Sequence, residues 1–278
     1  LHEGQLADLA AALSVPVRDR RSVVWEWLAE GGNRVAENRH TALELRVRRR
    51  RLLAGDESAD RGVADLEDRL DRLDAEIDRL CARARDRVLD RRSTGEYRVV
   101  IADATGESRA WAGLTGADAD RGESAILRPA RPQTETTTVE GYGIAATDTP
   151  GTLGGLPEYY ERVVPGTVAA VEAADVVVTD DPALETGTAA RVTLGSDSET
   201  VRSQVAAAIE TLSVDVDVEL PYTEDGRATS SWLHDIGAVR ERAYGDTIEL
   251  RVALSAAALE RLQTRLAGGD GIVRRQDG

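Results

Sequence analysis

The sequence predicts an α/β protein in three parts. A long antiparallel helical hairpin spans residues 1–95, a domain with a mainly parallel sheet spans 96–212, and a small α/β module spans 213–278. Three observations lead there. Leu66, Leu70, Leu73, Ile77, Leu80 and Ala84 recur at spacings of four and three, a heptad seam with Asp, Glu and Arg on the other faces. From Tyr97 onward, short β-rich runs alternate with helical ones, the pattern of a parallel sheet with helices on its faces. After Ser213, Val214, Val216, Val218 and Leu220 alternate with charged residues, as in a half-buried strand.

Taken in order, the chain opens with a short helical pattern (Leu6, Leu9, Ala10, Leu13) that stops at Val15-Pro16. No proline falls between Arg20 and Ala54, and Ala36, His40, Leu43 and Val47 recur at helical spacing, so one long amphipathic helix is expected there. Gly55 and the polar Asp56-Glu57-Ser58 break it before the heptad segment begins. Two long helices with a short polar loop form an antiparallel hairpin. Tyr97–Ala102 reads as a strand, Asp103–Ser108 as a loop, and the residues up to Leu114 as a helix. Asp118–Thr138 is a polar, proline-containing stretch to which no element is assigned. Gly141–Thr147 is a strand ending in Asp148-Thr149-Pro150-Gly151, and Tyr159–Ala174 a helix. Val176–Val178 and Arg191–Leu194 are strands, with a helix over Thr200–Leu212. The tail reads as a strand over Val214–Leu220, a turn over Pro221–Gly226 and a short helix over Ser230–Ile236. A strand over Ile248–Leu254 and a helix over Ala256–Leu266 follow.

Composition bounds the function. The 278 residues include 50 acids and 35 bases, a net charge of −15, and every base is Arg. Lys, Phe and Met are absent, so any site chemistry that needs a lysine is excluded. Cys81 is the single cysteine, which rules out intrachain disulfides and cysteine-rich zinc sites. His2, His40 and His234 stand far apart, so no His-rich metal site is expected. The acid excess, chiefly Asp, suits solvation in concentrated salt and predicts a salt-adapted source. A GC-rich genome, which also favours Arg over Lys, is the compatible alternative. No apolar run approaches the ~20 residues of a membrane span and no signal peptide opens the sequence, so a cytoplasmic protein without a membrane partner is expected.

Charge is uneven. Between Arg18 and Ala54 ten arginines face five acids, a net +5 that leaves −20 elsewhere. Arg46, Arg48, Arg49, Arg50 and Arg51 crowd the end of the first long helix, near the hairpin's tip. A basic island in an acidic protein is a candidate polyanion contact. The other reading pairs these arginines with acids of a neighbouring helix.

The strand, loop and helix from Tyr97 to Leu114 stand where a phosphate-binding loop belongs in a nucleotide-binding domain. Such a loop needs glycines so that backbone amides close on the phosphates, a Lys to neutralise them, and a hydroxyl for magnesium. Here Gly106 and Ser108 fall in place, with Glu107 where Lys belongs and Arg109 following. Some forty residues on, Asp148-Thr149-Pro150-Gly151 closes a strand, as does the D-x-x-G of a G domain.

These residues and their flanks resemble the HflX family of ribosome-associated GTPases. GESRAWAGLTGA is similar, without gaps, to that family's GKS loop and the helix after it. Asp148–Asp180 resembles its D-T-V-G-F-x-x-x-L-P segment, and Val17–Leu52 its stretch from D-R-T through the first long helix. The opening LHEGQLADLAAAL and the tail from Pro221 through Leu254 are similar to further family elements in the same order. The resemblance implies a P-loop-type G domain between the hairpin and the tail, with a truncated N-terminal domain. It implies GTP and magnesium as cofactors, with Ser108 and Asp148 on the metal and Gly106, Glu107, Arg109, Asp148 and Gly151 around the nucleotide. It makes the hairpin a ribosome-contacting element that reaches rRNA of the large subunit.

The departures define the expected function. Glu107 replaces the phosphate-binding Lys, no switch Thr stands near Arg128-Pro129, and an Asn-Lys-x-Asp motif is impossible without Lys. The interval from Val178 to Arg191 is also too short for the strand and helix around that motif. A unit charge pair at ~4 Å is worth about 4 kcal/mol at an effective dielectric near 20, and turning attraction into repulsion roughly doubles the loss. The leading expectation is a ribosome-binding pseudo-GTPase with no catalytic residue, its nucleotide site vestigial. The alternatives are a working GTPase with a divergent loop, acting on stalled or idle ribosomes, and a hairpin that pairs with an intact homologue.

Overall fold

The computed structural model describes residues 3–13, 17–53, 60–90, 97–102, 109–116, 132–150, 164–194 and 198–275. Four helices come first: α1 (Glu3–Ala12), α2 (Arg20–Glu30), α3 (Arg34–Leu53) and α4 (Asp60–Asp90). The single helix expected from Arg20 to Ala54 is two, broken at Gly31-Gly32-Asn33. Gly32 takes φ +84°, and the amides of Gly32 and Asn33 bond back to the carbonyls of Ala29 and Leu28 (both 2.9 Å), a left-handed C-cap that suits glycine. Asn33 then caps α3, its Oδ1 accepting from the amides of Val35 and Ala36 at 3.0 and 3.1 Å.

Leu6, Val24, Trp25, Leu28, Ala36 and Leu43 form one core among α1, α2 and α3. Ala42 and Leu45 of α3 pack on Leu66 and Leu70 of α4, so the heptad seam is buried where it meets α3. Arg46 reaches Asp74 and Arg49 reaches Glu67, a pairing that descends α4 as it climbs α3. The two helices therefore run antiparallel. The loop expected between them, residues 54–59, lies outside the described residues. At 31 residues, α4 is about 46 Å long.

A five-stranded mixed sheet follows, mostly parallel, with helices on both faces. Its strands are β1 (Tyr97–Ile101), β2 (Gln133–Val139), β3 (Tyr142–Asp148), β4 (Val176–Thr179) and β5 (Ala190–Thr193), in the order β2-β3-β1-β4-β5. Only β2 is antiparallel to its neighbour. On one face, Val99, Ile101 and Ile144 pack on α5 (Arg109–Thr115) and α7 (Ser198–Leu212) through Trp111, Leu114, Val205 and Ile209. On the other, Val100, Ala102 and Val177 pack on α6 (Thr167–Glu172) and on Val88 of α4.

Two expectations change here. The polar stretch up to Thr138 contains β2, an edge strand too exposed to show an apolar alternation. Of the helix expected over Tyr159–Ala174, residues 159–163 lie outside the described residues, and Val164–Gly166 form a turn before α6. Pro165 disfavours helix in the residue before it. Gly166, at φ +92°, lies so close to α4 that an added Cβ would stand 3.2 Å from the Ala84 carbonyl.

The C-terminal part is β6 (Val214–Pro221), α8 (Glu224–Ile236), β7 (Ala238–Tyr244), β8 (Thr247–Leu254), α9 (Ala256–Leu266) and β9 (Ile272–Arg275). Its four strands are all antiparallel in the order β7-β8-β6-β9, the connectivity of a split βαβ unit. The apolar pattern of the sequence does not announce β7 and β9, because their residues are mostly charged and exposed. Helix α8 starts six residues before the expected Ser230, capped by Thr223. Both helices cover one face, burying Val216, Leu220, Leu250, Val252, Leu233 and Leu259. The opposite face is charged, with Arg251 between Asp217 and Glu241.

Candidate functional site

The carboxyl ends of β1, β3 and β4 lie side by side. In an open α/β sheet that edge, where successive connections leave in opposite directions, is where ligands bind. Here β1 continues toward α5 on one face, whereas β3 leads to α6 on the other. Asp148 is the last residue of β3, 2% exposed, and pairs in register with Ile101 of β1. The next residue fixes the turn: Thr149 donates both its amide (3.0 Å) and its hydroxyl (2.8 Å) to the Ile101 carbonyl. Across β1, the Ala102 amide bonds to Val178 O of β4 at 2.9 Å. Asp148 is thereby held between β2 and β1, one strand from the centre of the sheet.

Of the other residues expected around a nucleotide, Gly106, Glu107, Ser108 and Gly151 lie outside the described residues. Arg109 is the first residue of α5. The donor set is mixed in chemistry. Of the groups the resemblance implies, Asp148 is a buried carboxylate, which suits magnesium, but the sequence has Glu107 at the lysine position and holds no lysine anywhere. That set does not fit a tightly held nucleoside triphosphate. Among the described residues, no cluster of three or more His, Cys, Asp or Glu side chains could hold a metal ion.

Beyond β4, residues 180–189 return to β5 without a helix. The connection is tied down by Asp181, whose carboxylate accepts from the Ala183 amide at 2.9 Å. Arg191 also reaches back to the carbonyls of Asp181 and Leu184. The short interval read in the sequence is therefore a compact loop in a parallel crossover, beside Asp148's edge.

The second candidate surface is the α3–α4 pair. Four of the five arginines at the end of α3 have partners inside the chain. Arg46 bonds Asp74 at 3.4 Å and Arg49 bonds Glu67 at 3.3 Å, both on α4. Arg50 pairs with Asp8 of α1, and Arg51 donates to the Ala10 carbonyl at 2.8 Å. The different directions follow from 100° of turn per residue. Arg48 is exposed and, among the described residues, its side chain has no hydrogen bond or ion pair.

Arg48 instead borders an open groove of about 370 Å³ between the helices. Leu52 and Leu66 give it apolar walls, Arg69 and Arg72 of α4 flank it, and Asp65 is the one acid among its described lining residues. The Arg69 side chain is likewise exposed and without a partner among the described residues. Arg72 donates to the Asp68 carbonyl of its own helix at 2.9 Å. Sequence reasoning missed Arg69 and Arg72. Their signal was the antiparallel register, which sets residue 48 opposite the turn of α4 that carries them.

The ion pairs on this face join exposed side chains, worth about 0–1 kcal/mol each, so a phosphate can displace them at small cost. The surface combines two guanidinium groups without partners among the described residues and several exchangeable ones over an apolar floor. Guanidinium groups pair with anions by charge and by paired N–H donation. No known protein family and no curated protein matches this sequence.

Proposed function

We propose that the chain is an HflX-like protein that binds the large ribosomal subunit through the α3–α4 helices and carries a degenerate nucleotide site, a pseudo-GTPase. The observation that carries the reading is the order and sense of the five-stranded sheet. The sequence β2-β3-β1-β4-β5 with β2 alone reversed is the arrangement a G domain has, and it sets Asp148, the first residue of the D-x-x-G-like segment, beside the strand that leads to Gly106–Ser108. Asp148 and Ile101, the last residues of β3 and β1, pair in register, which supports the resemblance.

In this reading the sheet unit is a scaffold. Glu107 repels the polyphosphate that a lysine would hold, and the loop over 180–189 replaces the helix and strand that would present an Asn-Lys-x-Asp motif. The hairpin formed by α3 and α4 does the binding. Its Arg48–Arg69–Arg72 groove accepts rRNA phosphates, while its acidic outer face is solvated by salt.

One observation favours a second reading, a working GTPase: Asp148 keeps the buried strand-end position that a magnesium-linked carboxylate requires. Purified protein sedimented with large subunits in the absence of nucleotide separates the two. Pelleting without nucleotide supports the first reading. Pelleting only with GTP and magnesium, or GTP retained through purification, supports the second. A stable complex with a full-length homologue away from the ribosome would point to the hairpin as a protein-pairing element instead.

A further inference from the structure

Among the described residues four strands end the two sheets, and three of them carry devices that prevent edge pairing. Strand β7 is bulged between Val239 and Glu241 and bears Arg240, Glu241 and Arg242 in succession. Strand β9 carries Arg274 and Arg275, and β5 is only four residues long with Arg191 folded back on its connection. Bulges, charges and short length are the usual protections of a sheet edge. Strand β2 is neither bulged nor short. Its seven residues, QTETTTV, pair with β3 in unbroken register from Gln133–Asp148 to Val139–Tyr142, with a single charge, Glu135.

The turn decides which groups β2 turns outward. Glu140 and Gly141 both have positive φ, +49° and +88°, so they form a two-residue primed hairpin turn closed by the Val139–Tyr142 pair. In such a hairpin the closing pair is hydrogen-bonded and the pairs then alternate. Val139, Thr137, Glu135 and Gln133 therefore bond to β3, while Thr138, Thr136 and Thr134 aim their N–H and C=O groups away from the sheet. Arg202 agrees, because it donates to the Thr138 carbonyl from outside at 3.1 Å. Nothing among the described residues bonds to the outward groups of Thr134 and Thr136.

We infer that the β2 edge is a strand-addition site for the β2 of a second copy, paired antiparallel about a two-fold axis through Thr136. That register is the one in which the groups match. Thr136 meets Thr136 and Thr134 meets Thr138, all outward-facing, giving about six backbone hydrogen bonds. The Thr138 carbonyl keeps a lone pair for its new partner while Arg202 holds the other. Glu135 falls opposite Thr137. A register centred on Glu135 would oppose two carboxylates and would also aim inward-bonded groups at each other. Thr–Thr pairs across strands are favourable, and a two-fold edge contact is self-complementary and closed. Pro132, lacking an N–H, ends the ladder just beyond Thr134. The product is one continuous sheet of two five-stranded halves. With −15 on each copy, association strengthens as salt screens the repulsion.

The test is light-scattering mass against protein concentration at low and multimolar KCl, for wild type, Thr136→Arg, Thr136→Glu and an equal mixture of the two variants. Residue 136 is exposed, so neither change touches the core. Wild type should rise from 29.9 kDa toward twice that mass with concentration, more steeply in high salt. Each variant alone sets like charges face to face on the axis and should stay monomeric. The mixture sets Arg against Glu and should recover the dimer. A wild type that stays monomeric throughout, a variant that dimerises as wild type does, or a mixture no more associated than its components overturns the inference. If Thr136→Arg loses its circular dichroism spectrum, the comparison of Thr136→Glu with wild type decides between the same two results.

Discussion

Thr149 donates twice to one acceptor: its amide and its hydroxyl both bond to the carbonyl of Ile101, at 3.0 and 2.8 Å. The contact clamps the turn after Asp148 to the end of β1, with Thr149 itself 1% exposed. Replacing the hydroxyl by a methyl in Thr149→Val leaves the amide bond and the volume in place. The expected loss is about 1 kcal/mol, the net worth of a typical internal hydrogen bond. Urea unfolding of the variant measures it, and an unchanged midpoint would show that the hydroxyl holds nothing.

The sheet and the C-terminal unit meet through Tyr97, whose hydroxyl lies 2.8 Å from Ser213 Oγ and whose ring packs edge-on to Tyr142 with 6.0 Å between centroids. Burial, only partly offset by the Ser213 hydrogen bond, pushes the Tyr97 phenol up to about 12 from its usual 10.0. The unfolded chain therefore ionises first as pH rises. The stabilising contribution is fully present below pH 10 and is lost between pH 10 and about 12. In Tyr97→Phe the stability should fall less steeply across that window, read as the slope of unfolding free energy against pH. A slope identical to wild type would place the alkaline loss elsewhere.

Close approach sets a third test at the same junction. A Cβ added at Gly143 would stand 2.9 Å from the Asp235 carbonyl oxygen and 3.2 Å from Ile236 Cα, both backbone atoms of the α8 end. Gly143→Ala should cost about 1–3 kcal/mol, the usual range for overpacking against atoms that cannot turn aside. Gly4, in α1, has nothing within 4 Å, so Gly4→Ala should stabilise by up to about 1 kcal/mol. Thermal unfolding of both compares a crowded glycine with an open one in the same chain.

Parts of the fold were legible because burial writes a period into the sequence. Leu66, Leu70 and Ile77 of α4 and the apolar runs of β1 and β4 are buried where the pattern placed them. Strand β2 was not, because an edge strand of Thr, Gln and Glu buries little beyond Val139 and shows no alternation. The break between α2 and α3 was written in Gly31-Gly32-Asn33, a C-cap followed by an N-cap, but helical spacing on either side masked it. Of the candidate sites, Asp148 and the cluster of Arg46, Arg48, Arg49, Arg50 and Arg51 stood out in the sequence, the cluster without any sign that Arg48 alone among the five lacks a partner in the described residues. Arg69 and Arg72 did not, since only the register of two antiparallel helices brings them to Arg48. Reversing Arg48 and Arg51 as one face, which their three-residue spacing suggests, would mix two surfaces, because Arg51 turns to α1.

The nucleotide reading makes a separate prediction. Titration with fluorescent GTP and ATP in magnesium should detect no micromolar affinity, given Glu107 and the missing lysines. Glu107→Lys should raise affinity if the loop backbone can still close on phosphate, since the change replaces a repulsive charge with an attractive one. Micromolar binding by the wild type would contradict the degenerate site and return the enzyme reading to the front.

The most direct measurement is sedimentation with isolated large ribosomal subunits across a salt series, comparing wild type with Arg48→Glu/Arg69→Glu. Neither side chain has an internal ion pair among the described residues, so the double change would remove the proposed RNA contacts without opening a salt bridge between α3 and α4. A matched pair of charge changes on the exposed face of β6–β8 serves as the control. Wild-type affinity should fall steeply with salt, and the double variant should bind more weakly, its slope shallower by about one for each phosphate it no longer neutralises. Superimposable curves for wild type and the Arg48→Glu/Arg69→Glu variant would contradict the account, leaving α3 and α4 without a role in RNA binding.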